Sequence, residues 1–182
     1  HRPHGLENGD AREALARDEV SRAKADGRKL SKRAALMKAH TFVQNIHHFR
    51  DESLRSQSAP AEKVVVFDEA QRAWTRAQAS RFMREKRQTP DFDMSEPQFL
   101  LSVMDRHDDW CFVVCLIGAG QEINTGEAGL SEWFEAIANH YRNWRVAYSD
   151  RILGAGYSWG TDFVNCLDGL DSHVEKDLHL AV

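Results

Sequence analysis

Residues 64–71, VVVFDEAQ, place two adjacent carboxylates directly after four apolar residues. An Asp that ends a buried strand is held rigidly and can position Mg²⁺, commonly through water. Such a metal bridges phosphate oxygens and neutralises charge that develops during hydrolysis. Glu69 points in a different direction and can take the proton of an attacking water, a task worth roughly 10²- to 10⁴-fold in rate. The same letters also spell a plainer object. Asp68 as an N-cap, with Gln71 three residues on, imitates a capping box at the start of the next helix. Both readings stand at this point.

A second apolar run, CFVVCLIG at 111–118, leads into Gly118-Ala119-Gly120-Gln121. In open α/β sheets, ligands gather beyond the carboxyl ends of the strands. If the two runs are neighbouring parallel strands, Asp68, Glu69 and Gln121 converge on one crevice. A glutamine after a flexible Gly-x-Gly turn can reach a γ-phosphate; equally, the glycines can serve only to permit positive φ angles.

The elements that must position these groups follow from pattern. KVVVF (63–67) is short, unbroken and β-branched, which suits a parallel strand covered on both faces. Residues 111–118 and 144–149 read as further strands, and LHLAV at 178–182 as the beginning of a fourth. Helical composition occupies 10–25, with Asp10 placed as a cap, and 31–54, with Ser31 as a cap. It returns at 69–87, with a break near Thr75, at 97–107 behind Ser95, Glu96 and Pro97, and at 130–141. Strands alternating with helices predict an α/β fold with a mainly parallel sheet, in a single domain spanning 1–182. Residues 1–9, HRPHGLENG, read as a tag scar or a disordered start.

Composition is that of a soluble globular chain, 42% hydrophobic and 29% charged, with no run approaching the ~18 apolar residues of a membrane span. Cys111, Cys115 and Cys166 give no disulfide framework and no zinc spacing, so a reducing, cytoplasmic setting is expected. Charge is divided. Residues 1–87 carry nineteen Lys or Arg against twelve acids, and residues 88–182 carry five against sixteen. That asymmetry fits a basic surface for phosphates, or mutual pairing of the two halves. RAWTRAQASRFMREKR (72–87) interleaves six basic residues with Trp74 and Phe82. Arg76, Arg81 and Arg84 are candidates to track nucleic-acid phosphates; a solvated helix face is the alternative.

VVVFDEAQRAW, NIHHFRDE and the segment SEPQFLLSVMDRHDDWCFVVCLIGAGQEINTGEAGLSEWF together resemble the Schlafen-type DNA/RNA helicase domain of bacterial proteins. The resemblance covers roughly residues 35–149. It implies an incomplete three-layer RecA-like P-loop NTPase core, related to superfamily 1 helicases, that uses ATP and Mg²⁺ and acts on DNA or RNA. Asp68 would then be the metal-binding member of the Walker B element, Glu69 its catalytic base, and Gln71 a nucleotide-proximal member of the same motif. Gln121 would match the motif III glutamine, with Gly118 and Gly120 beside the phosphates.

The chain departs from that family in two respects. No glycine is followed by Lys and then Ser or Thr, so there is no phosphate-cradling loop. LGAGYSWGTD (153–162) has glycines but no lysine, and the arginine-bearing segment expected after LHLAV is missing. The chain reads as a fragment that by itself binds ATP weakly and hydrolyses it poorly. A non-hydrolysing binding or scaffold module is the alternative. A metal-dependent nuclease built on Asp68, Glu69 and Asp91 or Asp93 is a remote one. Asp105, His107, Asp108 and Asp109 read as a helix end and turn rather than a metal cluster, and His47 and His48 point to different helix faces.

Overall fold

The computed structural model describes residues 5–43, 46–118, 129–153 and 166–179. The chain divides into two compact units, residues 1–57 and 58–182.

The first unit is helical: α1 Gly5–Ala25, α2 Lys32–Phe42 and α3 Ile46–Arg55. Small residues let α1 and α2 approach closely. Ala16, Ala35 and Ala39 are buried at their contact, with Val20, Leu30 and Leu36 packed around them. Ser31 caps α2, its hydroxyl accepting from Ala34 N–H at 3.2 Å. Two sequence expectations are corrected here. Asp10 lies inside α1 rather than at its start. The helix expected over 31–54 is two helices, because Val43 leaves helical geometry (φ −97°, ψ 97°) and its carbonyl accepts two hydrogen bonds from the Arg12 guanidinium. A carbonyl claimed from the side by a charged fork caps the helix that ends there.

The second unit runs β1 Val64–Phe67, a 3₁₀ turn Ala70–Arg72, α4 Arg76–Arg87, α5 Glu96–Met104, β2 Phe112–Cys115, α6 Ser131–His140, β3 Arg145–Tyr148 and β4 Asp171–Val174. Thr75 and Ser95 cap α4 and α5 by accepting from the N–H three residues on. α5 is the hydrophobic centre. Phe99, Leu100, Leu101, Val103 and Met104 are buried, as are Leu130, Trp133, Phe134 and Ile137 at and within α6.

β1 and β2 pair in parallel, Val64 opposite Phe112 through Phe67 opposite Cys115. β3 pairs in parallel with β4. Among the described residues these form two separate two-stranded sheets rather than one continuous sheet. The chain is therefore α/β with parallel pairing. Among the described residues the fourth strand is Asp171–Val174; of the expected LHLAV, Leu178 closes a 3₁₀ turn and His179 is extended, while 180–182 lie outside the described residues.

β1 and β2 are also not covered on both faces. Val64, Val66 and Phe112 are 50%, 57% and 58% exposed, whereas the alternate residues Val65, Phe67, Val113 and Cys115 are partly buried. β1 shows the period-two alternation of a one-sided sheet although every side chain in VVVF is apolar, whereas in β2 Phe112 is exposed and Val114, on the same face, is partly buried. No described helix is long and apolar enough to cross a membrane.

Candidate functional site

The parallel register puts the carboxyl ends of β1 and β2 on one rim: Asp68 follows Phe67, and Leu116 follows its partner Cys115. Leu116 N–H donates to Phe67 O at 2.8 Å, continuing the ladder one step past the strands. In a regular parallel ladder the N–H two residues beyond Phe67 would return the next bond to Leu116 O. Here it is Ala70 N–H, three residues beyond, that donates at 2.9 Å. One extra residue is thus accommodated at Asp68-Glu69, in the manner of a bulge. Glu69 absorbs it by entering the left-handed region, φ 54° and ψ 44°. For a residue with a Cβ, that conformation costs about 1–2 kcal/mol.

This geometry answers the question left open by the sequence. Asp68 is not a helix cap. Among the described residues its Oδ1 accepts from the adjacent Glu69 N–H, at 3.1 Å, and the helix that follows starts eight residues later, at Arg76 behind its cap Thr75. Gln71 does not complete a capping box either; its Nε2 donates to Glu69 Oε2 at 2.7 Å. The two carboxylates therefore stand on the rim with different environments: Asp68 exposed, Glu69 half-buried and held by the amide of Gln71.

The turn behind them is pinned from several sides. Trp133 of α6 is buried against Phe67, ring centroids 5.6 Å apart, and its Nε1–H donates to Ala70 O at 2.9 Å. Gly129 N–H donates to Gln71 O at 3.0 Å. Trp74 and Glu96 exchange two bonds: Glu96 N–H donates to Trp74 O, and Trp74 N–H donates to Glu96 Oε2, both at 3.0 Å. The sequence places Trp133 in the helix expected over 130–141 and Glu96 at the start of another, but does not show that both anchor the segment around the acidic turn. An acid that is 94% buried at a helix start is the signal, and only burial reveals it.

Of the other expected site residues, Gly118 lies two residues past Leu116 on the same rim, half-buried. Gly120 and Gln121, and most of the loop 153–162, lie outside the described residues, as does the side chain of His47 or His48. Asp105 accepts from Trp144 Nε1–H at 2.8 Å, Asp109 pairs with Lys63, and His107 Nε2 lies 3.2 Å from Glu62 O. These are turn-stabilising contacts. Among the described residues no group of three His, Cys, Asp or Glu could hold a metal, so Asp91 and Asp93 do not join Asp68 and Glu69 in a nuclease-like cluster.

Asp68 is an exposed carboxylate, the hard-oxygen ligand type that Mg²⁺ takes, with room around it for the waters that ion retains. On α4, Arg76 lies 3.6 Å from Asp93, and Arg81 bonds Glu85 at 3.0 Å. Both arginines are well exposed, 53% and 77%. Arg84 is exposed and one turn from Arg81. Surface pairs of this kind are worth about 0–1 kcal/mol. Met83 and Ala79 are buried on the opposite stripe, and the rings of Trp74 and Phe82 pack at a tilt of 57° with centroids 5.0 Å apart.

Burial disfavours the thiolate of the cysteine nearest the rim. Cys115 faces the inner side of the β1–β2 pair, and although the residue keeps some accessible surface, desolvation pushes its thiol up to about 12.

No curated protein and no solved structure matches this chain. The family model for the Schlafen group 3 DNA/RNA helicase domain matches residues 4–180, nearly the whole sequence, and the chain belongs to that family.

Proposed function

We propose that this chain carries the hydrolytic half of an ATP-driven motor that acts on DNA or RNA. The observation that supports it most directly is the acidic turn: two carboxylates at the carboxyl rim of a parallel strand pair, one exposed and one held by an amide donor. Asp68 would hold Mg²⁺ against the β- and γ-phosphates, and the ion, when bound, supplies electrostatic stabilisation of the transferring phosphoryl group. Glu69 orients the attacking water and receives its proton. Gly118 and Gly120 border the phosphates, and Gln121 links the γ-phosphate to the grip on nucleic acid. Gln71 belongs to the same motif. Arg76, Arg81 and Arg84 of α4 offer phosphate contacts to a strand.

The decisive measurement is Mg²⁺-dependent ATPase activity of the full-length protein, with and without single-stranded DNA or RNA. Glu69→Gln is expected to lower kcat by about 10²-fold or more while nucleotide binding persists. Arg84→Glu is expected to weaken nucleic-acid binding and flatten its salt dependence. Full ATPase activity in Glu69→Gln would refute the reading. Nucleotide and nucleic-acid binding without turnover in the wild type would convert it to a non-hydrolysing module.

A further inference from the structure

The geometry points to Gln71 as a positioning residue that acts through Glu69, not as a contact to the nucleotide. Gln71 is 2% exposed, so its side chain presents no surface to a ligand on the rim. Its one amide bond runs to Glu69 Oε2 at 2.7 Å. A carboxylate accepts and never donates, so Glu69 dictates which end of the amide faces it. The consequence is visible at the other end: Gln71 Oε1 is buried with no hydrogen-bond partner among the described residues.

A buried acceptor left unpaired destabilises a fold, and an apolar side chain of similar shape would remove that cost. Stability alone therefore argues against glutamine here. Glu69 supplies the reason for it. In the left-handed conformation the carboxylate is projected from an extra residue in the ladder. The buried Gln71 amide donates to that carboxylate and restrains it. Holding a base within a fraction of an ångström of its water is worth much of its effect, since a 1 Å misplacement can cost on the order of 10²-fold. Gln71 and Glu69 form one unit, in which buried strain on Gln71 is tolerated for the placement of Glu69.

This inference rests on the ATPase reading, and the test separates the two. In the full-length protein, Gln71→Met removes both the donor and the orphaned acceptor while roughly preserving shape. The expected result is a kcat for ATP lower by about 10- to 100-fold, a KM for ATP within a few-fold of wild type, and a melting temperature unchanged or raised. Raised KM with unchanged kcat would make Gln71 a nucleotide contact and overturn the proposal. So would a melting temperature that falls together with activity, which is the signature of a structural residue. The second arm needs no turnover: slow exchange of the Gln71 side-chain amide protons, followed by NMR, is expected in the wild type and lost in Glu69→Ala. Fast exchange in the wild type would overturn the coupling itself. If exchange behaves as expected but Glu69→Gln retains full ATPase activity, the functional reading has failed and the catalytic role of Gln71 falls with it.

Discussion

Replacing Trp133 by Phe should destabilise the second unit far more than the same replacement at Trp144, although each indole donates one hydrogen bond of nearly equal length. Trp133 Nε1–H donates to Ala70 O at 2.9 Å, where Trp133 and Ala70 are 4% and 3% exposed. Trp144 Nε1–H donates to Asp105 Oδ1 at 2.8 Å, where the carboxylate is exposed. In Trp133→Phe the buried Ala70 carbonyl keeps only the long bond from Ala73 N–H at 3.3 Å, and the smaller ring adds a cavity term, together about 1–3 kcal/mol. In Trp144→Phe water replaces the donor at Asp105, so the loss stays below about 1 kcal/mol. With an m-value of about 2 kcal/mol per M in urea, the first change lowers the midpoint by roughly 0.5–1.5 M and the second by less than about 0.5 M. Far-UV circular dichroism is the proper probe, because both substitutions alter fluorescence directly. Equal midpoint shifts in the two variants, or an unaltered midpoint in Trp133→Phe, would refute the argument that burial at the acidic turn sets the value of that bond.

Glu96→Ala should cost about 1–3 kcal/mol by removing the buried acceptor of Trp74 N–H, whereas Glu96→Gln, which retains an acceptor oxygen, should cost less; urea midpoints of both variants check this. The Cys115 thiol ionises near 9 when unfolded and at about 12 when folded, so the folded state binds more protons between those values. Its contribution is complete below pH 9 and is lost as pH rises toward 12, with a slope approaching about 1.4 kcal/mol per pH unit. Urea titrations of the wild type and Cys115→Ala at pH 8 and pH 10 should therefore show wild type losing more stability over that interval; parallel losses would contradict it.

Much of this protein was legible from local pattern. The β-branched runs at 64–67 and 112–115, the serines that cap α2 and α5, and the apolar side of α6 each occupy the place that short-range preference assigns them. So does the position of Asp68 and Glu69 immediately after a strand, because a strand of fixed length carries its flanking residues to its rim. The resemblance of the motif blocks to a helicase domain family was legible too, and the family match extends it over residues 4–180.

Other features depended on partners far away in the chain. That the two strands are neighbours rests on hydrogen bonds between residues 46 to 49 positions apart, and no periodicity encodes these. The extra residue at Glu69 appears only when Ala70, rather than its predecessor, closes the ladder onto Leu116. The exposure of Val64, Val66 and Phe112 was hidden because an all-apolar strand carries no sign of which face meets solvent. Gln71 reads in sequence as half of a capping box, yet in the fold it is a buried amide turned toward Glu69. Local sequence sets what each segment prefers to be. The environment of a side chain is set by which segments meet, and that is decided by burial and long-range hydrogen bonding over the whole unit.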